Sequence, residues 1–217
     1  MKSELFSIAI SDSIGSVSAE LMEPPKMKAV MALAHGAGAG MSHPFMKSLS
    51  KTLADHGIGT IRYNFAYMEK KKKMPDPPAI AEKTVNMVLE KTHEMFPAIP
   101  VLAGGKSFGG RMTSQLASRQ APAFLKGIVF YGFPLHAMGK PSTDRAAHLA
   151  KVPVPMLFLQ GTKDTLANIE LIQQVVSTLP AARIEIFDGA DHSFKSSGKK
   201  DLIPDLSSKT SAWFESL

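Results

Sequence analysis

The chain has 217 residues, 44% of them hydrophobic and 20% charged, with a formal net charge of +6 and no cysteine. That length allows one α/β domain with a full core over residues 1–217 and would make two cramped, and the composition argues against disorder. The missing cysteines exclude disulfides, thiolate nucleophiles and cysteine-bound zinc.

In chain order, "LFSIAIS" (Leu5–Ser11) and "VSAELME" (Val17–Glu23) flank the turn-like "DSIG" and suggest an N-terminal antiparallel hairpin. "KAVMALAHG" is a continuous apolar run ending in glycine, as expected of a strand buried on both faces. "HPFMKSLSKTLADHG" places Phe45, Leu49 and Leu53 on one helical face and closes at Gly57. The strand "IGTIRYNF" leads into a polar, Pro-rich loop, Asn64–Pro78, and then a helix through "IAEKTVNMVLEKTHEMF". The second half repeats the rhythm. "IPVLAGG", "KGIVFYGFP", "VPMLFLQG" and "RIEIFDG" read as strands. "FGGRMTSQLASRQ", "ANIELIQQVVSTL" and "DLSSKTSAWFESL" read as helices, and "LHAMGKPSTDRAAHLAKVP" as an irregular loop. Strands alternating with helices imply a mostly parallel sheet covered on both faces. In such sheets chemistry gathers at the carboxyl ends of the strands.

The stretch "VLAGGKSFGGR" admits two readings. Gly105-Lys106-Ser107 could close a phosphate-binding loop, but that pattern needs a glycine five residues before Gly105, where the chain has Pro100. Gly105-Lys106-Ser107-Phe108-Gly109 instead fits G-x-S-x-G, a strained strand-to-helix turn that holds a serine exposed. A serine hydroxyl needs a base, and the base an orienting acid. In this architecture they follow in the order serine, acid, histidine. Asp164 in "QGTKD" and His192 in "GADHSF" occupy the loops that order requires. Asp144 and Asp191 compete with Asp164, although the adjacency of Asp191 to His192 makes a bond to Nδ1 awkward. His35 is expected to brace the glycine loop, and the other histidines to be surface or packing residues. The oxyanion donors are expected to be the backbone N–H groups of Phe108 and of Ala37, the latter in "HGAGAG".

"LAHGAGAGMSHPFM", "RYNFAYMEK", "PDPP", "AGGKSFGGRM", "GFPLHAMGKP", "LFLQGTKD" and "GADHSF" together resemble the α/β-hydrolase superfamily. More narrowly they resemble its small dienelactone-hydrolase-like branch, which includes testis-expressed protein 30 and the hydrolase-like subunit of the non-specific-lethal histone acetyltransferase complex. The resemblance runs from about Leu33 to Phe194. It implies the α/β-hydrolase fold, a mostly parallel sheet without a large lid domain, and Ser107, Asp164 and His192 as the triad. Some members of the branch serve as complex subunits, so a non-catalytic hydrolase-fold scaffold or binding subunit stands as the alternative.

The expected chemistry is hydrolysis of a small or accessible ester or thioester. The segment Phe133–Pro153 is too short for a cap, and no metal or organic cofactor is implied. Lys106, Lys163 and Arg145 are candidate substrate-rim residues that would favour an anionic substrate. Lys70–Lys73 and Lys195, Lys199 and Lys200 form basic clusters without interleaved aromatics. With no zinc-finger, RNP or helix-turn-helix signature, a nucleic-acid partner is not expected. No apolar run approaches the roughly 20 residues of a membrane span. "MKSELFSIAI", broken by Glu4, does not read as a signal peptide. A cytoplasmic enzyme free of the membrane is therefore expected.

Overall fold

The computed structural model describes residues 1–196 and 201–217; Lys199 and Lys200 of the second basic cluster lie outside the described residues. The hairpin strands β1 (Lys2–Ser11) and β2 (Gly15–Glu23) are followed by β3 (Ala29–Ala34), α1 (Pro44–Asp55) and β4 (Ile58–Tyr63). Then come a short helix α2 (Ala66–Glu69), α3 (Pro78–Met95), β5 (Val101–Lys106), α4 (Phe108–Gln120) and β6 (Leu125–Tyr131). The chain ends with β7 (Met156–Gly161), α5 (Ile169–Ser177), β8 (Ala182–Phe187) and α6 (Ile203–Phe214).

The eight strands form one sheet in the order β1-β2-β4-β3-β5-β6-β7-β8. The hairpin is antiparallel and joins β4 antiparallel; every pairing from β4 to β8 is parallel. This is the expected mostly parallel sheet with an N-terminal hairpin. Side chains of a strand point alternately to its two faces, and β3 shows the consequence: Val30, Ala32 and Ala34 enter one core, Ala29, Met31 and Leu33 the other. The first core is closed by α3, α4 and α5 through Val85, Met112 and Ile172, the second by α1 and α6 through Leu49, Leu53 and Trp213. A strand buried on both sides has no polar stripe, which is why β3 reads as an unbroken apolar run.

One segment departs from the sequence reading. The Pro-rich loop contains α2, whose four residues are too few for a periodic signal; its Tyr67 N–H donates to Asp76 Oδ2 at 2.9 Å. Phe45 is half-buried and packs against the core that holds Leu49 and Leu53 while also lining a cavity, and Met46 beside it is fully buried. As expected, the segment after β6 is irregular, with two single 3-10 turns, Asp144–Ala146 and Leu149–Lys151, and no lid domain stands among the described residues.

Candidate active site

The turn between β5 and α4 is held by close packing. A Cβ on Gly105 would stand 2.2 Å from the Gly110 nitrogen, and one on Gly109 would stand 2.6 Å from both the Ala34 Cβ and the His35 carbonyl oxygen. Neither position accepts a side chain without moving α4 off the sheet. Ser107, between them, is forced to φ 50°, ψ −114°, a left-handed conformation that costs a non-glycine residue about 1–3 kcal/mol. The strain lifts its hydroxyl off the end of the strand.

Two further loops meet that hydroxyl. Ser107 Oγ lies 2.8 Å from His192 Nε2, and His192 Nδ1 lies 2.7 Å from Asp164 Oδ2. An ionised carboxylate only accepts, so Nδ1 carries the proton and the neutral ring leaves Nε2 free to accept from Ser107. Asp164 is fixed by two more donors: Leu166 N–H reaches Oδ1 at 2.8 Å and Gln160 Nε2 reaches Oδ2 at 2.6 Å. Burial pushes the Asp164 carboxyl up, but the hydrogen bond and charge of His192, the Leu166 amide and the charge of Lys106 more than offset it, holding the group below its ordinary value. Asp191 plays a different part. Its Oδ1 accepts the N–H groups of Ser193 and Lys195 at 2.8 and 2.9 Å, which closes the turn carrying His192.

The loop after β3 is braced from β4 and the residues that follow it. His35 Nδ1 donates to Gly36 O at 2.8 Å, and its Nε2 accepts from Phe65 N–H at 3.1 Å, the neutral tautomer. Burial lowers this imidazole to about 4. Asn64 Oδ1 accepts Met41 N–H at 2.9 Å, and Arg62, paired with Glu20 at 2.8 Å, donates to Met41 O at 2.5 Å. Among the described residues, the backbone N–H groups of Ala37 and Phe108 donate to no protein acceptor. Ala37 and Ser107 line one cavity of about 860 Å³, whose apolar wall includes Phe45, Met46, Phe194 and Ile203.

The structure therefore brings Ser107, Asp164 and His192 into one hydrogen-bonded chain, with Phe108 and Ala37 beside it. The rim residues separate. Lys106 lines the cavity. Lys163 is exposed on the loop after β7, and Arg145 Nη1 is turned to the carbonyls of Pro134 and His136 at 3.4 and 3.0 Å. Sequence reasoning missed Gln160, which also accepts Phe133 N–H at 3.0 Å and so ties β7 to the segment after β6. Its signal was available: a glutamine in the otherwise apolar "VPMLFLQG", four residues before the acid.

A sheet of this order, with a serine turn after β5 and loops from β7 and β8 converging on it, defines an α/β hydrolase. The chain belongs to the Alpha/beta hydrolase domain family, which it matches over residues 27–212. Its fold is similar to dienelactone hydrolase from Anabaena variabilis, with TM-score 0.77 and 16% identity over 100% of this chain and 99% of that one. It is similar to an alpha-beta serine hydrolase homologue from Coxiella burnetii at TM-score 0.77 and 21% identity, over 98% and 97% of the two chains. A serine hydrolase without lid from Xanthomonas campestris gives TM-score 0.76 and 18% identity over 98% and 95%.

Proposed function

We propose that this chain is a serine hydrolase that cleaves a small or accessible carboxylic ester or thioester. The observation that carries the reading is the continuous relay from Ser107 Oγ through His192 to Asp164, with both bonds under 3 Å. Ser107 Oγ attacks the carbonyl carbon while its proton passes to His192 Nε2, and the electrons of the C=O move to oxygen. That oxyanion sits against the N–H groups of Phe108 and Ala37, where fixed donors stabilise developing charge without reorganising. Collapse expels the alcohol or thiol, which takes the proton from His192. A water then repeats the sequence on the acyl-enzyme, releasing the acid and restoring Ser107. Asp164 holds the ring in the Nδ1–H tautomer throughout.

The apolar wall of the cavity suits a small acyl or alcohol group, and an anionic group on it would meet Lys195, which also lines the cavity. Placement in the dienelactone-hydrolase-like branch rests on the motifs quoted above.

Fluorophosphonate labelling, with the adduct located by mass spectrometry, tests the reading. An adduct confined to Ser107 and lost in Ser107→Ala is expected, followed by turnover of short-chain esters or acyl-CoAs. Folded protein that takes no label would instead favour a scaffold that keeps the fold.

A further inference from the structure

Lys106 precedes the serine and, by strand alternation, leaves β5 toward the face of α1 and α6. Its stem packs under the loop after β3, since a Cβ on Gly36 would touch Lys106 Cγ at 3.4 Å. The amine is buried without a hydrogen-bond partner among the described residues. The position that a Cβ on Gly132 would fill lies 3.1 Å from Lys106 Nζ and 3.5 Å from both Cε1 and Nδ1 of His192. The amine thus lies beside the ring that must take the serine proton. It also stands 5.7 Å from the centroid of the Phe194 ring, on the same turn as His192.

Among the described residues, the groups facing this amine include Asp164 after β7, and Asp191 and His192 after β8. His43, Lys195 and Asp201 line the same cavity. We propose that Lys106 is a positioning residue of the proton relay, its enclosed ammonium offsetting the Asp164 and Asp191 carboxylates beside His192. Two carboxylates near an imidazole favour its protonated form, in which Nε2 cannot accept from Ser107; a cation in the same place opposes them. The contact with the Phe194 ring adds a cation–π hold on the turn that carries His192. Burial lowers the amine to about 8, so it is charged at neutral pH and discharges within reach of experiment.

The inference rests on the serine-hydrolase reading, and the test separates the two. The His192 ring is followed by NMR against pH in the unmodified chain and in Lys106→Met, and Ser107 labelling by a fluorophosphonate is timed over the same range. In the variant both the ring titration and the acid limb of labelling are expected to move up by about one pH unit, the size of a single charge several ångströms away in a partly screened site. In the unmodified chain the His192 resonances are expected to shift a second time near pH 8, when Lys106 releases its proton. That signal needs no variant and serves if Lys106→Met does not fold. Unmoved midpoints with a uniform loss of rate, or no second shift near pH 8, would overturn the proposal. An unlabelled but folded wild type would sink the hydrolase reading alone, because the ring titration still reports the charge.

Discussion

At the scale of single residues, the demand on Asp164 is that it accept everywhere. His192 Nδ1 and Gln160 Nε2 both donate to Oδ2, and Leu166 N–H donates to Oδ1. Asparagine has nearly the same shape but carries two donors, so one of those N–H groups must face another. If its amide oxygen turns to Leu166, the NH2 meets His192 and drives the ring to the Nε2–H tautomer, which cannot take the Ser107 proton. Asp164→Asn is therefore expected to lower kcat about 10³- to 10⁴-fold with little change in fold, the size seen when a triad acid loses its acceptor. Ester turnover paired with circular dichroism checks this. A loss below tenfold would mean that Asp164 does not set the tautomer.

At the scale of elements, the turn at Ser107 depends on how closely α4 lies against β3 and β5. Gly109→Ala places a methyl 2.6 Å from Ala34 Cβ and the His35 carbonyl, so α4 must retreat and carry the Phe108 N–H with it. Over-packing of this kind costs about 1–3 kcal/mol. Here it should also slow Ser107 labelling by about 10²-fold, since a displacement of an ångström in the reacting groups has that effect. Urea unfolding and labelling rates measure the two consequences separately, and an unchanged rate would show that the helix start is not what positions the serine. This element was legible in the sequence because its constraint is local: only glycine fits at 105 and 109, and the pattern records it. The central strands were legible for a similar reason, as burial on both faces leaves mostly apolar runs. Loop convergence was less so. Adjacency to His192 counted against Asp191 as the acid, but only the fold shows that its Oδ1 accepts the N–H groups of Ser193 and Lys195. Phe45 fits the helical stripe of α1 and packs against the core, but its place in the first turn, next to Pro44, leaves it half-buried and lining the cavity as well. The enclosure of Lys106 depends on Gly132 and Phe194, 26 and 88 residues further along the chain, and no local pattern encodes it.

At the scale of the whole molecule, the two large cores leave acid as a specific weakness. His35 is fully buried, its two nitrogens committed to Gly36 O and Phe65 N–H, and burial lowers it to about 4. His148, bonded to Ser114 Oγ at 2.8 Å, is lowered to about 4 by burial and by Arg111 and Arg119. An unfolded histidine titrates near 6.5. Between those values the unfolded chain holds protons that the folded chain does not, so stability rises with pH and falls as pH drops from about 6.5 toward about 4. For His35 the full loss is on the order of 3 kcal/mol; half-buried His148 adds less. Asp164 sits outside this window, because a carboxyl held below its ordinary 3.8 keeps its contribution until the pH falls lower still. Urea midpoints are therefore expected to drop between pH 7 and 4.5, and His35→Gln, which can both donate and accept but does not titrate, should flatten that slope. The same slope in the variant would move the effect away from the loop after β3. The position of His35 gives the titration a functional edge. A proton on Nε2 would confront Phe65 N–H and loosen the loop that presents Ala37 N–H, so acid would open the oxyanion side of the site while Asp164 is still ionised. On lowering the pH, a slow loss of activity that tracks the urea midpoint should then appear and should disappear in His35→Gln.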